Sequence, residues 1–171
     1  SEGTGEAYHF QQIIHVLEDI ETVEEIESLP WPSLEALDFE SAHGETVRAA
    51  REAGRVVVAR RECTTFEHSW YLRGMDQLFC DLYEENPVGE WLLEWFTERS
   101  IAEVKAFCRL GVDVIGLGDD IGMQNQMMMA VPMWREHLKP RLARVIKAIR
   151  EASTEKPDWV RYHSDGNITR S

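Results

Sequence analysis

The chain has 171 residues, of which 43% are hydrophobic, so it is long enough to bury one core and short enough to form a single domain, residues 1–171. Its 31 acidic and 18 basic residues give a net charge of -13, which would repel a phosphate backbone and disfavours nucleic acid as a partner. No run approaches the roughly 18 apolar residues of a membrane span, no signal sequence is evident and the three cysteines lack a C-x-x-C spacing, so we expect a cytoplasmic protein without membrane contact.

The N-terminal part of the chain predicts short helical segments. A helix is expected over residues 6–18. A second helix is expected over residues 22–28, because Thr22 suits an N-cap and Glu25 closes a capping box. The two prolines in residues 29–32 then predict a rigid extended turn.

Three times along the chain, a helix-like stretch ends in a glycine or a polar connection and is followed by a short β-rich run. The helices are predicted over 45–53, 90–110 and 133–151, and the strands over 55–61, 112–118 and 159–163. Gly54 and Gly111 follow the first two helices, where glycine supplies the left-handed conformation that ends a helix. This alternation predicts βα units, a parallel sheet and an α/β fold.

The last predicted helix carries one apolar stripe at steps of three and four residues, formed by Trp134, Leu138, Leu142, Val145 and Ile149. Pro140 lies inside this helix, where it removes a backbone donor and clashes with the preceding turn. We therefore expect a kink or a break near Lys139.

Polar residues follow the predicted strands directly. We expect the strands to be parallel neighbours, with Glu62, Asp119 and His163 near one common end. In α/β sheets and barrels this end carries the chemistry. Asp119 and Asp120 are candidate catalytic residues, because two adjacent carboxylates in a low dielectric raise the pKa of one of them and suit a general base. The alternative is that one of the pair caps the next turn while the other is solvated.

His163 and Asp165 are the candidate metal ligands, and His163 is also a candidate acid or base. Alternate residues at a strand end point to the same side and can converge on one ion. The alternative is a histidine that is only hydrogen-bonded at the mouth of the sheet.

Four further residues are candidates for substrate binding. Glu67 and Arg73 are expected in a loop after the first strand, where ligand groups gather, although a structural ion pair is an alternative for the arginine. Gly118 and Gly122 permit close backbone approach to a substrate, or serve only tight turns.

The ordered set of motifs resembles the uroporphyrinogen decarboxylase superfamily, which includes cobalamin-linked, zinc-dependent methyltransferases. The motifs span nearly the whole chain and lie at residues 21–26, 30–32, 66–75, 111–122, 134–142 and 162–166. The resemblance implies that residues 1–171 form part of a (β/α)₈ TIM barrel with about three of its parallel strands.

The resemblance also implies an enzyme, and we favour a corrinoid-linked methyltransferase that acts on a small methylated substrate or a thiol acceptor. The alternatives are uroporphyrinogen decarboxylase of tetrapyrrole biosynthesis and a catalytically silent fragment or binding module completed by another chain. In the methyltransferases, a His-x-Cys motif at the matching strand end binds zinc. His163 matches the histidine, and Asp165 stands where the cysteine belongs.

The implied cofactors are zinc and the cobalamin of a partner corrinoid protein. Besides a small-molecule substrate, the expected partner is a second copy of the chain, or else the chain continues in a longer polypeptide. The reason is that a partial parallel sheet leaves open edges.

Overall fold

The structure is a computed structural model, and it describes residues 13–34, 37–153, 157 and 159–168. Its helices are α1 (Val23–Glu27), α2 (Phe39–Glu52), α3 (Phe66–Arg73), α4 (Met75–Tyr83), α5 (Pro87–Leu110), α6 (Val131–Met133) and α7 (Lys139–Ala152). Its strands are β1 (Val58–Arg61), β2 (Val114–Gly118) and β3 (Trp159–His163).

The three strands form one parallel sheet in the order β1, β2, β3. Arg61 of β1 pairs with Leu117 of β2, and Gly118 pairs with His163 of β3, so all three strands end at the same edge. The chain is therefore α/β, and the prediction of neighbouring parallel strands is confirmed. β1 and β2 begin three and two residues later than predicted, whereas β3 has the predicted bounds.

One face of the sheet packs against α2, α5 and α7. Ile115 and Leu117 of β2 are fully buried on this face. They belong to a core cluster that also contains Val104 and Phe107 of α5 and Val145 of α7. The helices that connect successive strands therefore return to the same side of the sheet.

The opposite face of the sheet is uncovered in the described part of the chain. Side chains alternate along a strand, so Val58 and Trp159 lie on the face away from Leu117, and they are 53% and 72% exposed. Arg60 and Arg161 flank Gly116 on this same face. We call this surface the open face. The described strands form an open sheet, so the barrel remains a prediction.

Local signals define several helix ends. The Thr22 hydroxyl accepts the Glu25 N–H at 3.2 Å and the Glu25 carboxylate accepts the Thr22 N–H at 3.1 Å, which confirms the capping box. Asn86 caps α5 and Pro87 occupies its first turn, so this helix begins three residues before its predicted start. Gly111, at φ 70°, ends the helix as predicted.

Two expectations for the N-terminal half are wrong. In place of the helix predicted over 6–18, residues 13–15 are irregular and residues 16–19 form a turn, and residues 6–12 lie outside the described part. The segment after β1 forms α3 and α4, so Glu67 and Arg73 lie on a helix and not in a loop. The reason is that α3 has no side-chain cap of its own; its first turn is bonded by Asp119, 53 residues after Phe66.

Pro140 interrupts the helix predicted over 133–151. Helix α7 begins at Lys139 and follows a π-helical turn, Trp134–Leu138. Proline has no N–H to donate and its ring crowds the preceding turn, so the kink or break predicted near Lys139 takes the form of this π-helical turn in a helix that continues on both sides. The wider turn divides the apolar stripe, because Leu138 packs with α3 and α4 whereas Val145 packs on the sheet. No helix in the described part is long and apolar enough to cross a lipid bilayer.

Arg73 fastens the N-terminal segment to α3 and α4. Its side chain is 2% exposed, and its Nε and Nη2 atoms donate to the two carboxylate oxygens of Asp81 at 2.7 and 3.1 Å. Its Nη1 atom donates to the carbonyl oxygens of Leu17, Glu18 and Ile20. The structure thus places Arg73 in the ion pair that the sequence analysis left open as an alternative to substrate binding.

We predict that Arg73→Met lowers the free energy of unfolding by about 3–5 kcal/mol, because it leaves the buried carboxylate of Asp81 without its partner. Urea unfolding followed by circular dichroism measures this loss. Arg48→Met, at an exposed position of α2, is the matched control and should change the free energy by less than about 0.5 kcal/mol. Equal stability of the two variants would contradict the structural role.

Candidate active site at the strand ends

The carboxyl ends of the three strands carry a connected group of polar side chains. As predicted, Glu62, Asp119 and His163 lie at this one edge, because each ends a strand or directly follows one. Glu62 is exposed and pairs with Arg60 at 3.3 Å. The other residues are held by bonds that run between the segments after β1, β2 and β3.

Asp119 caps the N-terminus of α3. Its Oδ1 atom accepts the N–H groups of Phe66 and Glu67 at 2.9 and 3.1 Å, and its Oδ2 atom accepts the N–H group of Thr65 at 3.1 Å. These N–H groups have no partner inside the helix, and the helix dipole favours a negative charge there. One member of the aspartate pair therefore has the capping role that the sequence analysis kept as an alternative.

Burial raises the pKa of Asp119 to about 7. The N–H groups of Glu67, Thr65 and Phe66 act in the opposite direction, and the negative charge of Glu67 raises the pKa further. The carboxyl group is thus buried, hydrogen-bonded and close to the midpoint of its titration at neutral pH. Its use as a general base remains a prediction.

Glu67, on α3, forms a hydrogen bond with the loop after β2. Its Oε2 atom accepts the N–H of Asp120 at 2.9 Å and its Oε1 atom accepts the hydroxyl of Tyr71 at 3.0 Å. Burial and the charge of Glu67 raise the pKa of Cys63 to about 12, so this thiol stays protonated at neutral pH. Burial and Glu67 also raise the pKa of Tyr71 above its usual range.

Asp120, His163 and Asp165 form a cluster that we call the carboxylate–histidine cluster. The Oδ1 atom of Asp120 accepts the Asp165 N–H at 2.7 Å, and Nε2 of His163 lies 3.1 Å from Oδ1 of Asp165. One ligand atom from each residue lies within 4.8 Å of the others. The side chains of His163 and Asp165 are 44% and 77% exposed, so a ligand can reach them from solvent.

The donor set of this cluster fits a divalent cation. An imidazole nitrogen and two carboxylate oxygens at these separations can contact one ion, and other positions stay open. The cluster contains no thiol, which favours harder ions over the soft zinc site of a His-x-Cys motif. Metal binding itself is untested and remains a prediction.

Gly118 and Gly122 let β2 and its loop approach the segment after β3. A Cβ atom on Gly118 would lie 2.9 Å from the carbonyl oxygen of His163, and one on Gly122 would lie 2.5 Å from that of Asp165. Gly166, at φ 76°, also lies against Gly122, since a Cβ atom on it would lie 2.6 Å from the carbonyl carbon of Gly122. The glycines thus make close backbone contacts that position His163 and Asp165, and a role in substrate binding stays a prediction.

Three residues of this site were not found from the sequence: Cys63, Tyr71 and Tyr162. Tyr71 follows Glu67 by one helical turn, a spacing that would have paired them if α3 had been predicted. Cys63, two residues after the end of β1, has a left-handed backbone at φ 56°, which no local signal indicates. Burial and the charges of Asp119 and Glu67 raise the pKa of Tyr162 above its usual range.

We predict that Asp119→Asn becomes more stable relative to the unchanged protein as the pH rises from about 4 to about 7. The folded-state pKa of Asp119 is about 7, above the ordinary 3.8 of an aspartate, so the folded state holds the proton more tightly and loses stability on ionisation. Asparagine keeps Oδ1 as an acceptor and does not ionise. Urea unfolding at several pH values gives the difference, and a difference that does not depend on pH would contradict the raised pKa.

Asp119→Ala is the companion variant, because it removes the acceptor and leaves three buried N–H groups of α3 without a partner. We expect it to lower the free energy of unfolding by about 3 kcal/mol at pH 5.

We predict that Gly122→Ala lowers the free energy of unfolding by about 1–3 kcal/mol, because the new methyl group meets backbone atoms that cannot yield without moving the loop after β3. Thermal and urea unfolding measure the change. Gly44→Ala in α2 is the matched control, since the new methyl group would meet only the flexible ends of Arg48 and Glu40 and alanine favours a helix. The prediction fails if both variants are as stable as the unchanged protein.

No family model matches the chain, and no curated protein matches it. Among solved structures, the fold is similar to that of a methyltransferase from Methanosarcina mazei, with a TM-score of 0.60 and 22% sequence identity over 81% of this chain. The match covers 42% of the methyltransferase chain, so this chain spans about two fifths of that protein. At this identity the similarity is one of fold.

Proposed function

We propose that the chain is part of a methyltransferase of the uroporphyrinogen decarboxylase superfamily, with the reacting groups held at the ends of the three strands. The observation that supports the proposal is the carboxylate–histidine cluster of Asp120, His163 and Asp165, in which His163 and Asp165 stand at the positions that the superfamily resemblance compares with the His-x-Cys motif. The fold shared with the Methanosarcina mazei methyltransferase supports it.

Asp120, His163 and Asp165 would hold a divalent cation, and zinc is the ion that the superfamily resemblance implies. When bound, such an ion lowers the pKa of a coordinated thiol or water, so the acceptor reacts as an anion near neutral pH. Because the cluster offers two carboxylates and no thiolate, we expect weaker zinc affinity than at a His-x-Cys site.

The residues of this chain position the acceptor and receive its proton. In the transfer to a thiol, the thiol proton leaves, the sulfur bonds to the methyl carbon, and the bond from that carbon to the donor breaks with its electron pair remaining on the donor. A His163 that binds the ion has no free lone pair for this proton, so proton transfer is its alternative role: without an ion, the partly exposed imidazole of His163 can take the thiol proton. Asp165 lies 3.1 Å from its Nε2 atom and would stabilise the imidazolium that forms.

Two hydrogen bonds orient Asp120 within the carboxylate–histidine cluster. Its N–H donates to Glu67 of α3, and its Oδ1 atom accepts the N–H of Asp165. Its position is thereby tied to both α3 and the loop after β3. Glu67 and Asp119 support the site from within and are themselves bonded, so we assign them positioning roles.

The methyl donor is proposed as a corrinoid protein on the superfamily resemblance alone. The alternative of a decarboxylase for a tetrapyrrole is less favoured, because a polyanionic substrate requires several cations. Arg73 is bound to Asp81 away from the strand ends, Arg61 pairs with Glu103 at 2.7 Å and Arg60 pairs with Glu62 at 3.3 Å. Of the arginines on the strands, this leaves Arg161 of the open face.

The exposed residues of the open face support the third alternative, in which another part of the protein completes the site. Parallel sheets usually have both faces covered, and Val58 and Trp159 are exposed on this one. We propose that further βα units, from a longer polypeptide or from a second copy, cover the open face and provide additional groups to the site.

We predict that zinc and manganese(II) bind this chain at one site and that His163→Ala weakens binding at least about tenfold, because the variant removes the only nitrogen ligand of the cluster. Asp165→Cys should strengthen zinc binding and weaken manganese binding, because a thiolate is softer than a carboxylate. Isothermal titration calorimetry with each ion measures these affinities. His43→Ala, at an exposed position of α2, is the control.

Two outcomes would contradict the proposed metal site. Equal binding by His163→Ala and the control would place the ion elsewhere. Activity that is unchanged after complete chelation would leave His163 as a proton-transfer residue and would remove the metal from the proposal.

A further inference from the structure

A second concave site lies on the other side of β3, between the loop after β2 and the beginning of α7. It has a volume of about 410 Å³. We call it the α7 pocket. Its apolar walls are formed by the side chains of Ile121, Met127, Trp134, Leu142 and Tyr162. Ile168 lies at its rim and is 45% exposed.

Two cations, Arg135 and Lys139, also line this pocket. Both are exposed, and within the described residues neither has an ion-pair partner. Arg141 and Arg144 of α7 are instead paired with the carboxylates of Glu90 and Glu94 on α5. Arg109 and Arg150 also have no ion-pair partner among the described residues, so what distinguishes Arg135 and Lys139 is their place beside the apolar walls of the pocket.

The π-helical turn places these two cations beside the apolar walls. Trp134 and Arg135 lie in this turn, and Lys139 begins α7. Pro140 produces the wider turn, and such insertions in helices are often associated with binding sites. A pocket with mostly apolar walls and a few polar groups is the usual form of a small-molecule site.

We propose that the α7 pocket binds a small organic anion with a flat or branched apolar body, with the anionic group held by Arg135 and Lys139. The apolar body would be removed from water against Trp134 and Met127, whose thioether adapts to ligand shape. The anion would balance two positive charges that have no ion-pair partner among the described residues. Asp120 and His163 are not part of this pocket, so the proposal does not depend on methyl transfer.

The test uses 2-naphthoate and its neutral analogue 2-naphthamide as probes, with binding measured by isothermal titration calorimetry. We expect 2-naphthoate to bind at one site and 2-naphthamide to bind about tenfold more weakly. The double variant Arg135→Gln/Lys139→Gln should weaken 2-naphthoate about tenfold and leave 2-naphthamide unchanged. Ile168→Trp, which narrows the mouth of the pocket without touching a cation, should weaken both probes.

The matched control is Lys147→Gln/Arg150→Gln, which removes the same charge from a later part of α7 outside the pocket. It should change the binding of 2-naphthoate less than about twofold. An equal loss in this control, equal binding of acid and amide, or no binding of 2-naphthoate by folded protein would overturn the proposal. His163→Ala should retain 2-naphthoate binding, which separates failure of this proposal from failure of the proposed metal site.

Discussion

The arrangement of the strand ends depends on the bonds between Asp119 and the first turn of α3. The Asp119 carboxylate, at the end of β2, caps helix α3, which has no side-chain cap of its own. In the other direction, the Glu67 carboxylate of α3 accepts the N–H of Asp120. The two bonds run in opposite directions between β2 and α3, so neither element can shift without breaking both. Each buried polar group left unpaired would cost about 1–3 kcal/mol, and this cost holds Asp120 in place.

The charged residues divide into two groups according to burial. Arg73 with Asp81 and Arg61 with Glu103 are buried pairs at 2.7 Å that join elements of the fold. Breaking such a pair is costly, because the remaining charge is left without water or a partner. His163 and Asp165 remain open to solvent, so they are the groups that a ligand can approach. The strand ends are therefore acidic, which favours a cation or a neutral reactant there.

Alternation along β3 separates the two proposed ligand sites. His163 lies on the open face of the sheet, whereas Tyr162, the preceding residue, lies on the face covered by helices and lines the α7 pocket. The metal site is formed by loops joined through Gly122 and Gly166, and the pocket is formed by the turn that Pro140 widens. Different local features thus produce sites that adjoin one strand and can be tested separately.

The sequence by itself determined the parts of the fold that rest on local signals. Glycine after helices, the Thr22 capping box and the effect of Pro140 predicted the βα alternation, the parallel sheet, the second short helix and a distortion of the last helix near Lys139. The same pattern predicted that polar residues lie together at the ends of the strands. Only the tertiary structure decided α3, the ion pair of Arg73 and the cap formed by Asp119, because each depends on a partner that is distant in sequence or on an element that no local signal indicated.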